Sequence, residues 1–231
     1  MSSSLNIRKT PRLLGVAPVM MVLTLLPQTL TECGGSSTQV TANDLLTLTQ
    51  SCTQLAGTSK FASDSGGSAT IPMCSLTGAL WFKADMDIDC DGGSEANCTK
   101  DPYYQASTSC VDSGGDYLDA SNLPFVVLPL DSNGFTMSSY GIKCGSVVAV
   151  IYGDQLEYAV VGDRGPKGVL GEGSYALAEL FGINPDPISG GTSSGVTYIV
   201  FTDGAVVSPI ESTSAAASLG EQEALQLLAD N

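Results

Sequence analysis

Histidine is absent from all 231 residues, and that absence removes several reaction classes. A Ser-His-Asp or Cys-His hydrolase needs an imidazole to take the proton from its nucleophile, and most histidine-ligated metal enzymes lose their ligand. The stretch GEGS at 171–174 has the outline of a nucleophile turn, yet no imidazole exists to activate Ser174. There is no Cys-x-x-Cys pair either, so a structural zinc site lacks both of its common ligand patterns. No Walker loop or dinucleotide fingerprint occurs. Positive charge is scarce: nine Lys and Arg stand against 24 Asp and Glu, a formal net charge of −15. Nucleic acid and anionic membrane need a basic face and are excluded as expected partners, whereas a polycation is what such a field attracts. Acidity also keeps an exported protein soluble, so charge alone does not name a ligand.

Long apolar runs are limited to one. Arg8, Lys9 and Arg12 precede the run at 13–30, which reads as a secretory signal over residues 1–32. Pro18 and Pro27 interrupt it and argue against a retained span. Cys33 follows as the modified cysteine of a bacterial lipoprotein would, but Glu32 is not the small residue such processing wants. Free secretion and a lipid anchor at Cys33 both stay open. The other six cysteines, Cys52, Cys74, Cys90, Cys98, Cys110 and Cys144, suggest up to three disulfides in an oxidising compartment. Residues 33–43 read as a polar linker and 44–231 as one domain with its own core.

Within that domain, 44–55 has helical spacing. Residues 82–91 alternate Phe82, Ala84, Met86, Ile88 and Cys90 with Lys83, Asp85, Asp87, Asp89 and Asp91, the period of a strand with one apolar and one charged face. Residues 92–121 show little periodicity and read as a disulfide-pinned excursion. LPFVVLPL at 123–130 reads as an edge or irregular strand because of its prolines. Two strand-like runs, 146–152 and 155–161, flank Gly153-Asp154, which suits a type II′ hairpin. Residues 174–181 can form a short helix capped by Ser174 and stopped at Gly182. Residues 196–202 read as a strand and 214–230 as a weakly helical tail. Patterning alone predicts a mainly β fold, a small barrel or sandwich with a few short peripheral helices.

Carboxylate is what the chain has in plenty, and two carboxylates suffice to cleave a glycosidic bond. GDRGPKGVLGEGS at 162–174 mounts Asp163 and Glu172 in a Gly-rich bend between a strand and a helix. An Asp on a buried strand end is expected to have its pKa raised and a Glu at a helix start to have it lowered, so Asp163 reads as general acid and Glu172 as base. Arg164 beside Asp163 argues the other way. Asp85, Asp87, Asp89 and Asp91 form a comb at about 7 Å spacing, costly unless cations meet it. Asp87, Asp89, Asp91 and Gly92 match the opening of a calcium loop, but its closing Glu position is Cys98, so no metal is assigned. Trp81, Tyr103 and Tyr104 could stack on sugar rings or pack in the core.

These segments, FKADMDIDCDG, DPYYQ, LPFVVLP, VVAVIYGDQLEYAVVGDRGP and GEGSYALAELFGINP, together resemble the family 75 chitosanases over residues 70–211. The resemblance implies hydrolysis of β-1,4 links in chitosan with inversion, with Asp163 and Glu172 at the catalytic positions and Glu179 a weaker substitute for the second. A polycationic substrate would meet the comb of Asp85, Asp87, Asp89 and Asp91, beside which Tyr103 is expected to stack on a sugar ring and Arg164 to orient carboxylates, all as substrate-binding residues, with no cofactor. Arg164 departs from the Thr common in fungal members. YAVVGDRGP and the helix after it are also similar to double-psi β-barrel proteins, the expansin-like and rare-lipoprotein-A-like domains, which implies a six-stranded double-psi-like barrel. The expected protein is thus a secreted, monomeric endo-hydrolase of chitosan or chito-oligosaccharides. A murein-cleaving barrel and a non-catalytic, expansin-like or calcium-dependent binding module are the alternatives.

Overall fold

The computed structural model describes residues 39–231; the expected signal, Cys33 and most of the expected linker lie outside the described residues. In chain order the elements are α1 (Ala42–Leu48), β1 (Cys74–Leu76), β2 (Ala79–Asp89), β3 (Phe125–Pro129), β4 (Val147–Tyr152), β5 (Gln155–Gly165), β6 (Glu172–Ser174), α2 (Tyr175–Leu180), β7 (Thr192–Phe201) and α3 (Thr213–Asp230). Helix α1 opens two residues before the expected start because Thr41 and Asp44 form a capping box. Val40 and Ala42, which the sequence pattern leaves in the linker, are already buried.

Six strands close on themselves in the order β2-β6-β3-β5-β4-β7, with β7 returning to β2 and β1 attached outside the ring. The barrel expected from patterning and resemblance is therefore present, mainly β with a few short helices. β2 and β6 run parallel, as do β3 and β5; the other contacts in the ring are antiparallel. The expected hairpin is β4–β5, and Gly153 takes φ 62 at its turn, as a type II′ turn requires at its first central residue.

LPFVVLPL is not an edge. β3 pairs with β5 on one side and β6 on the other, and all five of its residues are buried. Its prolines mislead because Pro124 precedes the strand and Pro129 ends it, where a missing N–H costs no central ladder bond.

Alternation along the strands sorts the apolar residues into two clusters. Leu80, Phe82, Val148, Val150, Val161, Tyr198 and Val200 belong to one; Trp81, Val127, Ala149, Val160, Ile199 and Phe201 to the other. The second cluster also holds residues of α1 and α3. An 18-residue helix cannot enter a six-stranded barrel, so this is the outer face and the first cluster fills the interior. Phe82 stacks on Tyr198 across β2 and β7 at 4.7 Å between centroids. Leu177, Ala178 and Phe181, in or just after α2, join the inner cluster. Three disulfides form, Cys52–Cys74, Cys90–Cys98 and Cys110–Cys144, using all six cysteines expected to pair.

Candidate active site

Strict alternation on β5 would send Asp163 into the barrel after Ala159 and Val161. A bulge prevents this. Val126 pairs with Val161, but the next residue of β3, Val127, pairs with Asp163, leaving Gly162 as the extra residue. The Phe125 side chain fills the space a side chain at 162 would need. The extra residue turns Asp163 onto the outer face, the usual structural use of a bulge beside a site.

β6 is three residues long and lies between β2 and β3. Its register sets Glu172 opposite Val127 on one side and Asp87 on the other. Asp163, Val127, Glu172 and Asp87 therefore form one row across four neighbouring strands, and residues in such a row share a face. At about 4.8 Å per strand step, the Asp163 and Glu172 backbones stand roughly 10 Å apart with Val127 between them.

Asp163 is buried, and its Oδ1 accepts the backbone N–H groups of Ser109 at 2.7 Å and Arg164 at 2.6 Å. Ser109 is fixed by its neighbour Cys110, tied to Cys144. Glu172 is half-buried, and its carboxyl reaches over Gly165: its Oε2 and the Cγ1 of Val127 occupy the space where a side chain at 165 would begin. Burial above all, then the charges of Asp87, Asp163, Asp91 and Asp85, push the Glu172 carboxyl up to about 7. The expectation of a lowered value at a helix start fails because Glu172 belongs to β6, and the cap of α2 is Ser174.

Beyond the row, Asp89 and Asp91 flank Cys90, which is tied to Cys98. Asp91 accepts Gln105 N at 2.7 Å and Nε2 at 2.9 Å, while Asp89 Oδ1 accepts Asp91 N at 2.7 Å. Burial pushes Asp91 up to about 6 and Asp89 well above the usual carboxylate range; Asp87 is raised as well, by burial and then by Asp64. One oxygen from each of Asp89, Asp91 and Asp163 lies within 4.8 Å of the others, an acidic trio whose hard oxygens would suit calcium or magnesium better than zinc.

The row opens on a cleft of 1110 Å³ whose carboxylates are Asp64, Asp87, Asp89, Asp91, Asp101, Asp163 and Glu172. Of the residues expected to bind substrate, Asp87, Asp89, Asp91, Tyr103 and Arg164 line it. Asp85 does not. It is buried, one carboxyl oxygen lacks a hydrogen-bond partner, and Gly171 packs so closely on that oxygen that a side chain there would overlap it. The comb is therefore three teeth rather than four. Arg164 does line the cleft, but its Nη2 pairs with Asp131 at 2.6 Å, since successive strand residues face opposite ways. The guanidinium thus acts on Asp131 rather than on the adjacent carboxylate. Trp81 is core, at 4% exposure. Asp64, Asp101 and Tyr117 also line the cleft and carried no periodic signal, because each lies in an irregular segment.

A family profile described as fungal chitosanase of glycosyl hydrolase group 75 matches residues 86–228. An endo-chitosanase of Aspergillus oryzae is 36% identical over 132 residues, covering 52% of this chain and 54% of that protein. An endo-chitosanase of Aspergillus fumigatus is 33% identical over 142 residues, covering 55% of this chain and 60% of that protein. The chain thus spans about half the length of the curated relatives it matches. Among solved structures, a Streptomyces papain inhibitor aligns with a TM-score of 0.32 at 16% identity, over 57% of this chain and 99% of its own, a likeness too remote to inform fold or chemistry.

Proposed function

The chain belongs to glycosyl hydrolase group 75, the fungal chitosanases, and from that premise we propose that it is an endo-acting hydrolase of chitosan in which Asp163 and Glu172 carry the chemistry. The single observation that supports this most is the row Asp163, Val127, Glu172, Asp87 at the floor of an acidic cleft. The Glu172 carboxyl lies over Gly165, two residues or roughly 7 Å along β5 from Asp163, which leaves room for a water as an inverting enzyme needs; a retaining pair stands only about 5 Å apart.

Glu172 is the general acid. Held at about 7 by burial and its acidic neighbours, it keeps its proton in mildly acidic solution and gives it to the glycosidic oxygen as the bond to the anomeric carbon breaks. Asp163 is the base. With Oδ1 engaged by the N–H groups of Ser109 and Arg164, its other oxygen takes a proton from the water that attacks that carbon. The product has inverted configuration, and both carboxyls reset by exchange with solvent. The direction is the reverse of the one the sequence suggests.

Asp87, Asp89 and Asp91, whose pKa values are raised first by burial and then by neighbouring carboxylates, are proposed to receive the ammonium groups of glucosamine residues, whose positive charge favours the ionised carboxylates. Three disulfides support an exported protein, with residues 1–32 as its signal and 44–231 as the catalytic domain. The test is release of reducing ends from chitosan and from peptidoglycan by the full chain, Asp163→Asn and Glu172→Gln. Activity on chitosan that falls at least 100-fold in both variants is expected. Glu172→Gln with full activity would refute the two-carboxylate mechanism.

A further inference from the structure

Large apolar side chains are exposed at seven of the described positions, and the three most exposed of them, Tyr103 at 86%, Ile188 at 67% and Tyr117 at 58%, all line the acidic cleft. Leu130, at 39%, lines it too. They come from separate parts of the chain: Tyr103 and Tyr117 from the irregular stretch between β2 and β3, Leu130 from just after β3, and Ile188 from the loop before β7. Single exposed apolar residues are ordinary on any surface, but gathering them around one cleft whose floor is carboxylate is not. Carboxylates alone would hold any polyamine. A β-linked chain of glucosamine residues offers two chemistries at once, an ammonium group and an apolar C–H face on every ring.

We infer that Tyr103, Tyr117, Leu130 and Ile188 form an apolar rim that grips the C–H faces of sugar rings on either side of the reacting bond, so that the cleft recognises a chain of amino sugars by rim and floor together. This rests on the chitosan reading of the floor. Ring faces packed on tyrosine and aliphatic side chains gain affinity through buried area and dispersion, which salt does not screen. The floor acts through charge, whose reach salt shortens to about 10 Å at 0.1 M and to less at higher salt. The two contributions are therefore separable by ionic strength.

The experiment uses the full chain with Tyr117→Ala, Ile188→Ala, Tyr117→Phe and, as a control, Leu225→Ala, an exposed leucine of α3 outside the cleft. KM and kcat are measured on chitosan, and binding of a glucosamine hexamer to each substitution placed in Glu172→Gln is measured by calorimetry, at low and high salt. The two Ala variants should raise KM and Kd by about 3- to 10-fold with little change in kcat, and that ratio should persist at high salt. Tyr117→Phe should restore binding, and Leu225→Ala should change nothing. An active enzyme whose KM and Kd ignore both Ala substitutions overturns the rim while hydrolysis stands. If the unsubstituted chain releases no reducing ends, the hydrolase reading falls and calorimetry decides the rim: weaker hexamer binding in the Ala variants upholds it, and no hexamer binding at all overturns it as well.

Discussion

Gly165→Ala isolates the position of one carboxyl from the stability of the barrel. A Cβ at 165 would overlap Glu172 Oε2 and stand 2.8 Å from Val127 Cγ1. The first overlap is with the far end of a flexible side chain, so it relaxes by moving the carboxyl about 1 Å, at little cost in folding. The second is a tight contact inside the outer cluster and costs about 1–2 kcal/mol, or a fall in Tm of roughly 2–8 °C. Misplacing a reacting group by 1 Å costs about 100-fold in rate. The expected variant is therefore folded, with kcat on chitosan down about 100-fold. Gly162→Ala, three residues earlier on the same strand, provides the contrast: its Cβ would overlap the fully buried Phe125 ring, which cannot swing away, and stability should fall by about 3 kcal/mol. Reducing-end kinetics and thermal melts followed by circular dichroism separate the two. A Gly165→Ala enzyme with kcat within about two-fold of the parent would refute the placement of the Glu172 carboxyl over this glycine as a catalytic requirement.

Glu172 near 7 and Asp85 and Asp91 near 6 all lie above the carboxyl value of about 4 expected in an unfolded chain. The folded state thus binds more protons, so the stability these groups contribute is complete below about pH 4 and is lost as pH rises through 6 to 7. Tm should be at least about 5 °C higher at pH 5 than at pH 8, activity should fall through the same upper window as Glu172 loses its proton, and a Tm that does not vary over that range would refute the account. The Cys110–Cys144 bridge spans 34 residues, so replacing both cysteines with serine should cost about 3.5 kcal/mol. It should also lower kcat by freeing Ser109 from Asp163, which reducing-end kinetics well below the new Tm would register.

Local chemistry was written plainly in the chain. The β4–β5 hairpin follows from two alternating runs around Gly153-Asp154, α2 from Ser174 and its stop at Gly182, and β2 from the alternation at 82–91. Each depends on neighbours a few residues apart, the range over which periodicity and capping act. The absence of histidine and the even number of paired cysteines bounded the chemistry in the same way.

The sequence by itself therefore determined the longer elements, an upper bound of three disulfides and the two carboxylates to suspect. Only the tertiary structure decided where those carboxylates stand and what surrounds them. β6 is too short to carry a period, so the row joining Asp163, Glu172 and Asp87 exists only through strand pairing between distant segments. The bulge at Gly162 turns Asp163 outward, the packing of Gly171 withdraws Asp85, and pleating sends Arg164 to Asp131. The raised pKa of Glu172 has the same origin: it depends on burial and on charges that the fold brings together, and electrostatic energy follows distance in space rather than separation along the chain.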